Sequence, residues 1–131
     1  LDVSIERVLA AHEDEPFVDK TSRGDTPILV SEDGKVRLAI IGWIKTVEWL
    51  QWYDITAEAG GALESDSHQR GSIECLSVLD GEFEVELGGE INSAKAGETL
   101  RYRCDRPHIV RCVKGPGHAT MVCILKAAVM E

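Results

Sequence analysis

The sequence predicts an all-β protein, an antiparallel barrel or sandwich, and three observations carry that expectation. From Gly34 onward, apolar residues recur with a period of two, in short runs. Glycine pairs and an Asp-Gly step break those runs about every ten residues. Only 5% of residues are aromatic against 44% apolar, so the core must rest on Val, Ile and Leu, which suit a pleated surface. A chain of 131 residues can bury one such core unaided, and no internal repeat or low-complexity tract points to a second domain.

Residues 1–11 read as a short helix. Ser4 is a good N-cap, Val3 and Val8 stand at staple spacing, and Ile5, Val8 and Leu9 form a narrow apolar stripe. Residues 12–33 form an acidic linker punctuated by Pro16 and Pro27, with a short strand expected at Ile28–Val30. Residues 34–131 make up the β-domain. Its first strands are expected at Val36–Trp43 and Val47–Ile55, joined near Ile44–Thr46, with Val47, Trp49, Gln51, Tyr53 and Ile55 on one face. Gly60-Gly61 is a break. Asp80-Gly81 between Ile73–Leu79 and Glu82–Leu87 predicts a hairpin turn. In the second of these runs Phe83, Val85 and Leu87 face inward while Glu82, Glu84 and Glu86 face outward. Gly88-Gly89 turns the chain again, and Thr99–Arg103, His108–Val113 and Ala119–Lys126 complete the series.

The net charge of -9, with pI near 4.9, argues against a nucleic-acid surface on this chain, since phosphate affinity comes from clustered Lys and Arg. None of Cys75, Cys104, Cys112 and Cys123 forms a CxxC pair, and Cys75, Cys112 and Cys123 lie in apolar runs. They read as reduced core thiols of a cytoplasmic protein. No apolar run reaches the ~20 residues that cross a bilayer, so no membrane role is expected, and the N-terminus lacks a secretory signal pattern. The chain opens on Leu1 rather than Met, which predicts further sequence upstream.

The chemistry concentrates in His68, Glu74 and His108. Glu74 shares a strand face with Leu76 and Val78, so alternation places a carboxylate on an apolar face, where it requires a partner. His108 shares a face with Val110 and Cys112, and the turn Gln69-Arg70-Gly71-Ser72 can fold His68 toward Glu74. Two imidazoles and a carboxylate suit one divalent metal, Zn, Fe, Ni or Mn. The alternative is that Glu74 pairs with Arg70 or His108 and the pocket takes an organic ligand. Cys112 lies ~13 Å along the strand from His108, too far to share a metal, and reads as a core thiol. His12 and His118 are expected in exposed loops, and Arg101 and Arg103 on a solvated face opposite Leu100, Tyr102 and Cys104. Of Trp43, Trp49 and Trp52, at least two are expected in the core or at a dimer interface.

His68, Arg70, Glu74 and Gly81 resemble the first cupin motif, HxHxxxE with a later Gly, with Arg70 in place of the second His. Gly97-Glu98 and Pro107-His108 resemble the second motif, with Cys112 where the family has Asn. The resemblance covers residues 54–126 and implies a double-stranded β-helix, an antiparallel jelly-roll barrel whose interior holds a metal or small ligand. It implies ligand contacts from His68, Arg70, Glu74, Tyr102 and His108, with His68, Glu74 and His108 as the metal set. The stretch HQRGSIECLSVLDGEFEVEL, followed by GETLRYRCDRPHIVRC, is similar to cupin domains fused behind lambda-repressor-like helix-turn-helix domains. LDVSIERVLA resembles the last helix of such a domain, so residues 1–11 would be its tail. The resemblance implies a transcription regulator that senses a small-molecule effector and reaches DNA only through an N-terminal domain absent from this chain. A homodimer is expected, because operators read by such proteins usually match a two-fold protein. A metal-dependent cupin enzyme (oxygenase, isomerase or epoxidase) is the less favoured alternative. A stand-alone, metal-free binding barrel is the third.

Overall fold

A computed structural model describes residues 18–125, and the expected helix at residues 1–11 lies outside them. Eight strands follow in order: β1 Ile28–Val30, β2 Val36–Ile40, β3 Leu50–Ala57, β4 Ala62–Ser65, β5 Ile73–Leu87, β6 Glu90–Lys95, β7 Thr99–Arg103 and β8 His108–Ile124. Every pairing is antiparallel, along the path β1-β2-β3-β8-β5-β6, with β4 also on β8 and β7 also on β5. Among the described residues, no helix is long and apolar enough to cross a membrane.

The short strand expected in the linker is β1. The two strands expected after Gly34 are real but displaced: β2 stops at Ile40, a 3-10 turn spans Ile44–Thr46, and β3 begins only at Leu50. The period-two pattern through Trp43 and Val47 therefore does not mark strand. Trp43, Trp49 and Trp52 are all exposed, so none is a core residue. Alternation gave no warning of β4 and β6, whose residues are mostly half-buried or exposed.

The larger correction concerns Asp80-Gly81. Ile73–Leu79 and Glu82–Leu87 do not pair with each other, and Asp80-Gly81 is not a hairpin turn. Both halves belong to the single 15-residue strand β5 and pair with β8, with register shifts between Val78 and Phe83. Gly81 sits at φ +79, and a Cβ there would lie 2.3 Å from the Lys114 carbonyl oxygen. The Asp-Gly step thus bends a continuous strand by a bulge where another backbone passes close. Likewise β8 is one strand of 17 residues where two were expected. The tight hairpin lies at Gly88-Gly89, which joins β5 to β6 across the pair Leu87↔Glu90 with φ +54 and +84. Two successive positive φ angles are what a type I′ turn demands.

Strand parity is correct within the strands. Ile55, Leu76, Val78, Phe83, Val85, Val110, Ala119 and Met121 are buried in one core. Glu84 and Glu86 face outward, where Arg111 bridges both at 3.3 and 2.8 Å. Asp33 ties the β1–β2 turn to β4 by accepting from Ser31 Oγ, the Lys35 amide and the Ala62 amide. Those bonds, that from Ser31 first, lower its pKa to about 2. His118 is not a loop residue: it lies in β8, with Nε2 2.6 Å from Asp54 Oδ1.

Candidate functional site

The registers of the central strands build one polar row on an otherwise apolar inner face. Across β3, β8, β5 and β7, Gln51 pairs with Cys123, Cys123 with Glu74, and Glu74 with Tyr102. Directly paired residues project to the same side of a sheet, so all four side chains share a face. The next row inward is Tyr53, Met121, Leu76 and Leu100, and the one beyond it holds Ile55, Ala119 and Val78. A carboxylate is thus set at the edge of the core.

Three further side chains reach this row. Cys104 lies two residues beyond Tyr102 and is fully buried. The β4–β5 loop is laced to it, because the His68 amide donates to the Cys104 carbonyl at 2.9 Å and the Cys104 amide to the Ser72 carbonyl at 3.0 Å. Gly71 N adds a bond to Asp105 Oδ2. This places His68 Nε2 3.4 Å from Glu74 Oε2. His108, at the start of β8, brings its own Nε2 to 3.4 Å from the same oxygen. The other carboxylate oxygen accepts a 2.6 Å hydrogen bond from the Tyr102 hydroxyl.

Both Glu74 and His108 are buried. Burial works to raise the pKa of Glu74, but His108, the Tyr102 hydroxyl and His68 outweigh it and hold the carboxyl below its ordinary value. Burial likewise works to lower that of His108, and Glu74 with the Arg106 carbonyl reverses this and raises it. Burial, then Glu74, pushes the Tyr102 hydroxyl far up, so it remains a donor. The same two causes raise Cys104 to about 11, and Cys123 is raised as well, so neither thiol is a ready nucleophile.

A divalent cation fits this donor set, on one observation above all. His108 Nδ1 lies 2.8 Å from the Arg106 carbonyl oxygen, which fixes the hydrogen on Nδ1. Its Nε2 is buried without a hydrogen-bond partner and faces the Glu74 carboxylate. A nitrogen lone pair opposite a carboxylate oxygen is repulsive; the metal-free protein answers it with the proton that the raised His108 pKa keeps on the ring, and a cation can take that proton's place.

His68, Glu74, Tyr102 and His108 are therefore brought together. Arg70 is not among them: it is exposed and, among the described residues, forms no ion pair with Glu74. Cys112 is buried away from the row, its Sγ 3.4 Å from the Lys114 carbonyl. Arg101 and Arg103 face outward, Arg103 on Asp105 at 2.6 Å. Sequence reasoning passed over Gln51, Cys104 and Cys123. Cys104 shares the Tyr102 face and could have been found by parity, whereas Cys123 joins Glu74 only through a cross-strand register.

Residues 53–125 match the Cupin_2 family, "Cupin domain". The chain is 34% identical over 59 residues to the HTH-type transcriptional regulator SutR of Escherichia coli (strain K12), a match covering 45% of this chain and 33% of that one. The matched region thus spans about a third of that relative. The cupin domain of an XRE family transcriptional regulator from Enterobacter cloacae superposes with TM-score 0.58 at 25% identity, covering 70% of this chain and 95% of that one. An HTH_3 family transcriptional regulator from Vibrio cholerae gives TM-score 0.63 at 21% identity, covering 73% and 53%. The family match takes in β5, β7 and β8, the strands that carry Glu74, Tyr102, Cys123 and His108, and on that ground the chain belongs to the cupin domain family.

Proposed function

We propose that this chain is the effector-sensing barrel of a helix-turn-helix transcription regulator, binding a small molecule or a divalent cation at the row around Glu74. The carrying observation is that row itself, a buried ionisable cluster edging an apolar interior, in a chain similar to regulators. His68, Glu74 and His108 would hold the cation, with Tyr102 fixing the carboxylate and Arg70 at the rim meeting an anionic effector. The regulator reading is preferred to an enzyme because the relative at 34% identity and the solved structure at 25% are both regulators. DNA contact would come from a domain preceding residue 1, with residues 1–11 as its tail, since a chain of net charge -9 has little to offer phosphates. Such a protein works in the cytoplasm, which four unbonded cysteines fit.

A reporter fused to the neighbouring promoter tests this reading. Output should change with growth medium when the gene is wild type and stay constant when it carries Glu74→Gln. A variant that responds as the wild type does would overturn the proposal.

A homodimer would have a surface of its own. Leu50, Ile124 and Ile73 form one outward row across β3, β8 and β5, beside Trp52, Val122 and Cys75. Trp52, Ile73 and Ile124 are exposed there. A homodimer would cover them, and sedimentation at micromolar concentration should show twice the monomer mass; a monomer alone would refute the dimer.

A further inference from the structure

Cys104 and Cys123 are buried beside Glu74, and the regulator reading gives them no task. Their Sγ atoms lie 3.8 Å apart with no bond between them. His68, Glu74, Cys104 and Cys123 each offer one ligand atom, and these four atoms lie within 4.8 Å of one another. We propose that these four residues form a zinc site in which the two cysteines bind as thiolates, each S–H proton passing to solvent as a Zn–S bond forms.

The spacing supports a tetrahedral ion. With Zn–S near 2.3 Å, two sulfurs of a tetrahedron stand about 3.8 Å apart; with Zn–N and Zn–O near 2.1 Å, nitrogen and oxygen stand about 3.4 Å apart. The structure has 3.8 Å between the sulfurs and 3.4 Å between His68 Nε2 and Glu74 Oε2. The mixed sulfur-to-nitrogen and sulfur-to-oxygen edges, about 3.6 Å in such a tetrahedron, fall inside the 4.8 Å that spans the four atoms, so a small contraction around the ion would close the set. His108 then stands outside the ligand set: its Nδ1 is held by the Arg106 carbonyl, and its Nε2, 3.4 Å from the ligating oxygen of Glu74, would carry a proton and donate it there. Ligands outside the primary set commonly orient a metal-bound group in this way.

Softness decides the metal. Two thiolates favour zinc over Mn or Ni, and a four-ligand set is closed, as structural zinc sites are. The ion would clamp the His68 loop onto β5, β7 and β8. This ligand set is an alternative to His68, Glu74 and His108 for the same ion, and it does not depend on the chain being part of a regulator.

The test is to titrate the chelator-dialysed chain with Co2+ and then Zn2+. One equivalent of Co2+ should bind with a thiolate-to-cobalt charge-transfer band in the near ultraviolet, and Zn2+ should displace it. Cys104→Ser and Cys123→Ser should each weaken that band and lower zinc affinity by more than the roughly 10–100-fold that losing an outer partner costs. Cys75→Ser, altered at a half-buried cysteine outside the cluster, should leave both unchanged. Should a serine variant misfold, the wild-type spectrum still decides. Co2+ bound without the band overturns the thiolate site and leaves the regulator reading standing, since His68, Glu74 and His108 would then hold the ion. No binding at all overturns it too.

Discussion

If the row around Glu74 holds a divalent cation as proposed, Glu74→Gln should abolish its binding and leave the far-ultraviolet circular dichroism unchanged. The amide keeps the shape of the side chain and an oxygen for the Tyr102 hydroxyl, but it no longer attracts a cation. Glu74→Ala is harsher, because it strips the partner from a buried imidazole, a loss of about 3–5 kcal/mol when a buried ion pair is broken. The metal-free protein adds a pH signature. The Glu74 pKa is depressed, so its stabilisation is present above about pH 4.3, the unfolded value, and fades as pH falls through the lower folded value. That of His108 is raised, so its share is full below about pH 6.5 and fades as pH rises through the higher folded value. Both are full between about pH 4.3 and 6.5. Urea denaturation of metal-free protein should show wild type exceeding Glu74→Gln by more at about pH 5.5 than at about pH 9. An equal margin at both would dissolve the pair.

Gly81→Ala carries the other large effect. A left-handed backbone costs a residue with a side chain about 1–2 kcal/mol, and overpacking adds about 1–3 kcal/mol. Here the obstacle is the Lys114 carbonyl at 2.3 Å and the Gly117 Cα at 3.1 Å, both backbone, so nothing flexible can swing aside. A loss of about 2–5 kcal/mol is a large part of the ~5–15 kcal/mol that holds a domain together. Thermal denaturation measures it. A midpoint within a degree of wild type would mean that β5 does not bend as described.

The same glycine shows where the sequence misled. Asp-Gly between alternating runs signals a turn because it supplies a positive φ, and the positive φ is present. A bulge uses the same backbone angle, however, and only the β8 partner on both sides of Gly81 reveals which of the two it serves. Parity was legible because it is local: Glu74 inward with Leu76 and Val78, and Tyr102 opposite Arg101 and Arg103, need only alternation. Register is not local. Nothing near Cys123 in the chain announces that it will lie opposite Glu74, nearly fifty positions earlier, so it read as one more apolar residue. The exposed position of Arg70, apart from Glu74, was not legible for a related reason, since a turn residue's direction depends on the loop's anchors at Cys104 and Asp105.

Control of a DNA-binding protein by the polar row in this barrel is tested by a mobility-shift titration. The gene product extended upstream of residue 1, this chain alone, and the extended product with Glu74→Gln are each titrated against the neighbouring promoter. Specific retention is expected for the extended product and none for the chain alone, with an affinity changed about fivefold or more by Glu74→Gln, the scale of a typical coupling between sites. Promoter binding by the acidic chain alone, or equal affinities for the extended product and its Glu74→Gln variant, would contradict the proposal.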